Sequence, residues 1–260
     1  MSVRGGLIGG GLGTVVLVIA ALALGVDPTA LLQAGGGGMS EPASESAPVG
    51  TPDDDMGRFV DVVLGDTEAT WNRVFSERGA DYPEPRLVLF DDAVRSACGT
   101  ASSAVGPFYC PRDAQIYLDL SFFRQLRDRF GAGGDFAQAY VIAHEVGHHV
   151  QNVTGTMEGF GGYSESGPDS RAVRMELQAD CYAGIWAHDS EAAGYVEPGD
   201  LREALEAAAA IGDDNIQRQT QGMVVPESFT HGTSDQRMAW FRRGYEAGDL
   251  NACDTFSGRI

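Results

Sequence analysis

Two histidines four residues apart in a largely apolar stretch constrain the fold of this 260-residue chain more than any other feature. His144 and His148 share one face if the stretch is helical, because residues four apart lie one turn above each other. The positions around them are aliphatic: Val141, Ile142, Val146 and Val150. Polar rings among such neighbours need a metal ion or protein partners. The stretch therefore predicts a buried helix that either binds a metal or satisfies its histidines within the core.

A glutamate follows the first histidine and completes the spacing His-Glu-X-X-His. Two imidazoles on one helix face can bind one zinc ion at about 2 Å each. Glu145 would then reach a metal-bound water and act as its general base. A catalytic zinc site needs a third protein ligand. A histidine six residues after His148 is one known arrangement, but Thr154 occupies that position.

A later acidic pair offers another third ligand. Glu176 and Asp180 are four residues apart in a predicted helix and therefore lie on one face. Glu176 can take the third position on the metal. Asp180 can accept a hydrogen bond from one of the ligand histidines and fix its orientation. The simpler alternative is that both carboxylates lie on a solvated helix face.

The residues around both motifs resemble one bacterial family. The segments His-Glu-Val-Gly-His-His-Val-Gln (144–151) and Glu-Leu-Gln-Ala-Asp-Cys-Tyr-Ala-Gly-Ile-Trp (176–186) look like the neutral zinc metallopeptidase family. Blocks at 106–111, 117–123 and 231–237 are similar to other parts of it, so the resemblance covers roughly residues 58–256. It implies an α+β, zincin-like metallopeptidase domain, in which a small twisted sheet packs on the active-site helix with the glutamate helix beneath. It also implies one catalytic Zn²⁺ and a protein or peptide substrate.

Two residues are candidates for stabilising the negative charge that develops on a peptide carbonyl oxygen. His231 lies in a loop before the last predicted helix, and zincins with a glutamate ligand often place a histidine or tyrosine late in the chain. Tyr163, in the Gly-rich loop after the active-site helix, is the alternative. A purely structural interpretation has His231 ordering its own loop through Asp235 or Arg237.

The two remaining histidines are not expected to bind the metal. His149 points about 100° away from the ligand face, which indicates a supporting or surface role. His188 lies near a helix end and is predicted to be structural.

Residues 1–33 are predicted to anchor the chain in the cell membrane. The uncharged stretch from Gly5 to Val26 is about long enough for a spanning helix, which needs roughly 20 residues. Arg4 precedes it and acidic residues follow it. The positive-inside rule then places the N-terminus in the cytoplasm and the rest of the chain outside. A cleaved signal peptide, with Ala21-Leu-Ala23 as the cleavage site, is the alternative.

A linker and one globular domain follow the predicted anchor. Residues 34–57 are small, polar and acidic, which predicts a flexible linker. The catalytic domain would then span residues 58–260. Apolar periodicity predicts helices near 59–78, 121–130, 135–153, 171–187, 198–210 and 234–247, and strands at 86–90 and 115–120.

The four cysteines suggest two disulfides in a domain outside the cytoplasm. Three pairings are possible. Cys98 and Cys110 lie in one loop-rich stretch and are expected to pair, which leaves Cys181 with Cys253. Buried free thiols are the alternative. No Cys-X-X-Cys spacing occurs, which argues against a cysteine-bound zinc.

The acidic composition narrows the choice of partner and function. A net charge of -19 argues against binding to nucleic acid, because such a surface repels phosphate backbones.

From the motifs, the family resemblance and the predicted anchor, we expect zinc-dependent peptide-bond hydrolysis by a membrane-anchored enzyme outside the cytoplasm. The competing interpretation is a non-proteolytic envelope protein in which zinc stabilises a binding or scaffolding module. Glu145 favours the enzyme, since structural zinc sites need no base and usually have four protein ligands.

Overall fold

The computed structural model describes residues 54–91, 93–102, 105–159 and 165–260. The predicted membrane anchor, residues 34–53 of the predicted linker and Tyr163 lie outside these ranges. Within them, no helix has both the length and the hydropathy needed to cross a membrane. The described part corresponds to the predicted globular domain.

The described residues form an α+β domain that is mostly helical. Its helices are α1 (Asp55–Ser76), α2 (Leu120–Asp128), α3 (Asp135–Val153), α4 (Arg171–Ala192), α5 (Asp200–Ala210), α6 (Asp213–Gln221) and α7 (Ser234–Ala247). Its strands are β1 (Arg86–Phe90), β2 (Ala93–Ser96), β3 (Gly99–Ser102), β4 (Phe108–Cys110) and β5 (Gln115–Asp119). Two short 3-10 turns, Pro226–Ser228 and Leu250–Cys253, lie before and after α7.

A three-stranded mixed sheet has the order β1-β5-β4. β1 runs parallel to β5, with Leu87 opposite Ile116, and β4 runs antiparallel to β5 on the other side. β2 and β3 form a separate antiparallel hairpin. The predicted strands β1 and β5 are confirmed. The sequence does not predict the other three, because strands of three or four residues are too short to show alternation.

Helix α3 lies at the centre of the domain. It packs against α1, α4, α5 and the strands β4 and β5. Every residue from Ala139 to Gln151 is buried. Burial on all sides explains why this helix lacks the one-sided apolar stripe of a surface helix. Its polar side chains must therefore find partners inside the protein.

A glycine lets α3 and α4 approach closely at the level of the histidine motif. A Cβ atom at Gly147 would lie 2.9 Å from the backbone oxygen of Ala179, closer than the 3.0 Å that real Cβ atoms respect. Only a residue without a side chain fits there. The contact brings the turn of α4 between Glu176 and Asp180 against the helix that carries the histidines.

Several helix bounds and one whole helix differ from the sequence predictions. α1 begins at Asp55, within the predicted linker, rather than near residue 59, because the Asp54 carboxylate accepts a hydrogen bond from a first-turn backbone N–H at 2.7 Å. α4 continues to Ala192 rather than ending near residue 187. The sequence does not predict α6, which has a single aliphatic residue and thus no apolar period.

Both expected disulfides are present. Cys98 pairs with Cys110, and Cys181 pairs with Cys253. The described residues contain no free cysteine, so the alternative of buried thiols is wrong. The first disulfide ties the turn between β2 and β3 to β4. The second ties α4 to the segment that follows α7.

Candidate metal centre

The structure brings His144, His148 and Glu176 together inside the protein. Nε2 of His144 lies 3.2 Å from Oε2 of Glu176, and Nε2 of His148 lies 3.5 Å from Oε1 of the same carboxylate. One donor atom from each residue falls within 4.8 Å of the others, so one ion could contact all three. All three side chains are buried, as is Asp180. The solvated-face alternative for the acidic pair is therefore wrong.

The donor atoms suit zinc. Two imidazole nitrogens and one carboxylate are a known ligand set for catalytic zinc, with a fourth position left for water or substrate. The cysteines are all in disulfides, so none offers a thiolate. Another group of closely spaced carboxylates, formed by Asp135, Asp200 and Glu203, is partly exposed and offers only oxygen atoms.

Asp180 makes the contact with a ligand histidine that its spacing predicts. Its Oδ1 lies 2.8 Å from Nδ1 of His144. The same carboxylate accepts hydrogen bonds from the Tyr140 hydroxyl at 2.5 Å and from Nε and Nη2 of Arg237 at 2.8 and 2.9 Å. An ionised carboxylate can only accept, so Nδ1 of His144 must donate. Nε2 of the same ring faces Glu176 and is the atom left for a metal ion.

Asp180 is ionised although it is 0 % exposed. Burial raises the pKa of its carboxyl group, but the charges and hydrogen bonds of Arg237 and His144 outweigh burial and lower the pKa. Arg237 is itself only 2 % exposed and belongs to α7. The last helix of the domain therefore helps to build the centre. The guanidinium of Arg237 binds Asp180. This contact does not support the interpretation that Arg237 orders the His231 loop.

Charged neighbours set the protonation of the three candidate ligands. Burial lowers the pKa of His144, but the Asp180 carboxylate outweighs this effect and raises the pKa to about 9. Burial raises the pKa of Glu176, whereas the charges of His231 and His148 and the hydrogen bonds from His144 and His148 bring it well below its usual value. Among the protein groups alone, a proton on His144 thus faces the Glu176 carboxylate. Metal binding between them must release that proton.

Glu145 offers a carboxylate that is free to accept a proton. It is 7 % exposed, and no group among the described residues hydrogen-bonds to it. Burial raises its pKa, and the charges of His148 and His144 oppose that increase. Those charge effects place its carboxylate within electrostatic reach of the ligands. A buried carboxylate without a structural partner can serve as a general base.

Three residues that sequence analysis did not select also shape the centre. Nδ1 of His148 lies 2.9 Å from Oε1 of the buried Gln151. Gln151 follows His148 by three residues, and Tyr140 precedes His144 by four, so helical spacing on a buried helix could have indicated both. Arg237 is far away in sequence and carries no such signal.

His231 lies at the edge of the centre on the loop before α7, with 20 % of its side chain exposed. Burial lowers its pKa, but the carboxylates of Glu176 and Asp213 raise the pKa overall. The imidazole is thus within electrostatic reach of the third ligand. Asp213 holds the loop, since its Oδ2 accepts the backbone N–H groups of Thr230, His231 and Gly232 at 2.7, 2.7 and 3.0 Å.

The other two histidines hold packed elements together. His149 is buried, so it is not a surface residue. Its Nε2 donates to the backbone oxygen of Pro83 at 2.5 Å, and its Nδ1 accepts from the Tyr109 hydroxyl at 3.0 Å. Nδ1 of His188 lies 2.8 Å from the backbone oxygen of Tyr245 and links α4 to α7. Both side chains are bound to protein groups other than the three candidate ligands.

Comparison with known proteins agrees with this arrangement. Residues 2–256 match the family described as "Putative neutral zinc metallopeptidase". The chain is 46 % identical over 255 residues to "Uncharacterized protein YpfJ" of Escherichia coli (strain K12), an alignment that covers 96 % of this chain and 88 % of that protein. It is 47 % identical over 214 residues to "Uncharacterized protein Rv2575" of Mycobacterium tuberculosis (strain ATCC 25618 / H37Rv), covering 78 % of this chain and 73 % of that protein. No solved structure matches the chain. The chain therefore belongs to the neutral zinc metallopeptidase family.

Proposed function

We propose that this protein is a zinc-dependent endopeptidase. The observation that carries the proposal is the buried convergence of His144, His148 and Glu176, together with the buried carboxylate of Glu145, which has no hydrogen-bond partner among the described residues. A zinc site that only stabilised the fold would have no use for that carboxylate. Membership of the family supports the same activity.

Each residue of the centre has a defined role in this proposal. His144, His148 and Glu176 hold one zinc ion, which when bound polarises a peptide carbonyl and lowers the pKa of a water molecule. Glu145 accepts a proton from the attacking water and delivers it to the leaving nitrogen. The acceptors at Nδ1 of both histidines hold a hydrogen on that atom and turn each Nε2 atom toward the metal position, where the proton on His144 must leave when zinc binds.

His231 donates a hydrogen bond to the substrate carbonyl oxygen as negative charge develops there. Its partly exposed side chain and its electrostatic effect on Glu176 support this role. Asp213 holds the backbone of the loop, which supports a fixed position for the imidazole in this proposal. Tyr163 is the alternative donor.

The experiment that tests the activity compares Glu145→Gln with the wild type. The variant should bind one zinc ion and melt at the same temperature, but lose casein cleavage by at least about 10²-fold, because only the proton acceptor is removed. Glu246→Gln, on the exposed side of α7, is the matched control and should stay fully active, with a chelator abolishing its activity. Full activity in Glu145→Gln would end the hydrolase hypothesis. Zinc binding with no peptidase activity in the wild type would favour the scaffolding alternative.

The enzyme acts outside the cytoplasm in this proposal, held by an N-terminal membrane helix. The uncharged stretch between Gly5 and Val26 after Arg4 supports the anchor. Two disulfides support an oxidising compartment. A protease added to spheroplasts should cut within residues 34–53 and release a soluble domain, whereas lysed cells serve as the control for cleavability. Protection in spheroplasts together with cleavage after lysis would contradict this orientation.

A further inference from the structure

Buried amide groups connect His148 to the disulfide between Cys181 and Cys253. Oε1 of Gln151 lies 2.9 Å from Nδ1 of His148. Nε2 of Gln151 donates to Oε1 of Gln178 at 3.1 Å, and Nε2 of Gln178 donates to the backbone oxygen of Cys253 at 3.0 Å. Both glutamines are buried. Gln151 and Gln178 together are called the amide chain.

Backbone carbonyl groups determine the direction of these hydrogen bonds. Nε2 of Gln151 also donates to the backbone oxygen of Met175 at 2.7 Å. A carbonyl oxygen can only accept, so Met175 and Cys253 each require the NH₂ group of a glutamine. The oxygen of Gln178 must then face Gln151, and the oxygen of Gln151 must face His148. Nδ1 of His148 therefore carries a hydrogen, so that in the neutral ring the lone pair lies on Nε2, the atom that metal binding uses.

The two ligand histidines thus depend on different kinds of partner. His144 is oriented by Asp180, an ionised group that can only accept a hydrogen bond. His148 faces a neutral amide, which could present either its oxygen or its NH₂ group. The backbone carbonyl groups of Met175 and Cys253 determine that the amide presents its oxygen to His148. Since Met175 directly precedes Glu176, Gln151 also links the second ligand to the backbone beside the third.

The far end of the amide chain is held by a covalent bond. Cys253 lies in the short turn after α7, and its disulfide joins it to α4 at Cys181, three residues after Gln178. The following residues are also bound to α4, since the Thr255 hydroxyl donates to the backbone oxygen of Arg174 at 2.7 Å. The Arg174 guanidinium donates back to the Thr255 carbonyl. The carbonyl of Cys253 is therefore fixed relative to the helix that carries Gln178.

We propose that Gln151 and Gln178 are positioning residues through which the Cys181–Cys253 disulfide controls the orientation of His148 and hence the affinity for zinc. This inference rests on the proposed function, since it takes His148 as a zinc ligand. Without the disulfide, the Cys253 carbonyl can move away from Gln178. The Gln178 amide then loses the acceptor that sets its direction. Gln151 keeps only the Met175 carbonyl to set its own, so the preference of His148 for a hydrogen on Nδ1 weakens without being lost. Zinc affinity thereby becomes dependent on oxidation of this one cysteine pair.

The test measures zinc affinity of the full-length protein in detergent, by competition with a chelator. Gln151→Met should bind zinc about 10–100-fold more weakly, the usual effect of losing the partner of a ligand histidine. The double variant Cys181→Ala/Cys253→Ala should also bind zinc more weakly but lose less, because the Met175 carbonyl still orients Gln151. Gln178→Met should weaken zinc binding in the same direction with both disulfides intact. The matched control is Cys98→Ala/Cys110→Ala, which removes the other disulfide and should bind zinc like the wild type.

Three further measurements separate positioning from general loss of structure. The melting temperature of each zinc-free protein reports the fold alone, and Gln178→Met keeps the test decisive if the cysteine variant fails to fold. Adding Gln178→Met to Cys181→Ala/Cys253→Ala should cause little further loss of affinity, because both changes interrupt the same chain. In zinc-loaded wild type, ¹⁵N NMR of labelled histidine should show the hydrogen of His148 on Nδ1.

The outcomes distinguish this inference from the proposed function. Equal zinc affinity in the wild type, Gln151→Met and Gln178→Met overturns the amide chain and leaves the zinc enzyme intact. If Gln178→Met and Cys181→Ala/Cys253→Ala lower zinc affinity independently, so that their effects add in the combined variant, the disulfide does not act through Gln178 and the inference is overturned. A wild type that binds no zinc overturns both proposals.

Discussion

A single methyl group added where α4 crosses α7 should destabilise the domain strongly. A Cβ atom at Gly244 would lie 1.9 Å from the backbone oxygen of Cys181 and 3.1 Å from its Cα atom. On the opposing helix, a Cβ atom at Gly184 would lie 2.1 Å from the backbone oxygen of Phe241. The obstacles are backbone atoms, so no side chain can rotate away to make room.

The size of the effect follows from the displacement that the new contact requires. The 1.9 Å separation at Gly244 must lengthen to ordinary contact, at 3.4 Å or more, before alanine fits. Overpacking of this kind costs about 1–3 kcal/mol and sometimes more. The α4–α7 pair is the most extensive packing among the described helices, so we expect about 3 kcal/mol. For a domain of this size, that loss lowers the melting temperature by about 6–12 °C.

Gly65→Ala is the matched control for Gly244→Ala. Gly65 lies within α1, and a Cβ atom there would meet nothing within 4 Å. Alanine should therefore stabilise the zinc-free protein by about 0.5–1 kcal/mol, because it loses less backbone entropy on folding. Thermal unfolding followed by circular dichroism measures both variants. If Gly244→Ala melts at or above the temperature of the wild type, the argument from close helix approach is refuted.

Three further predictions concern single polar side chains. His231→Ala should keep zinc and melting temperature but lower kcat by about 10²–10³; lower stability with normal kcat in the folded fraction would assign His231 to the loop instead. Asp180→Asn should weaken zinc binding in chelator competition by about 10–100-fold, and unchanged affinity would contradict its orienting role. Burial and the charges of Glu84 and Asp61 raise the pKa of Glu68 above its usual 4.5. At pH 7 the ionised side chain is therefore less favourable in the folded protein than in the unfolded chain and lowers stability. Below pH 4.5 the side chain is protonated in both states, so this effect is lost. Glu68→Gln should therefore melt above the zinc-free wild type at pH 7, with the difference disappearing in acid; a difference independent of pH would exclude this cause.

The amino-acid sequence by itself determined the local part of the metal centre. Helical geometry places residues four apart on one face, so His144 with His148, and Glu176 with Asp180, follow from spacing alone. The pairing of Cys98 with Cys110 follows from proximity along the chain. The strands β1 and β5 and most helices likewise follow from patterns of apolar residues within a short window.

Tertiary structure alone decided how these local pieces act on each other. Arg237 reaches Asp180 across 57 positions, and Gln178 reaches the carbonyl of Cys253 across 75. The sequence around a glutamine or an arginine in a helix does not predict a partner so far away along the chain. These contacts exist because α4 lies between α3 and α7, close enough at glycine positions for side chains of all three helices to meet. Inside that packed interior an unpaired polar group costs free energy, and the partners that His144 and His148 find fix the direction of their imidazole rings.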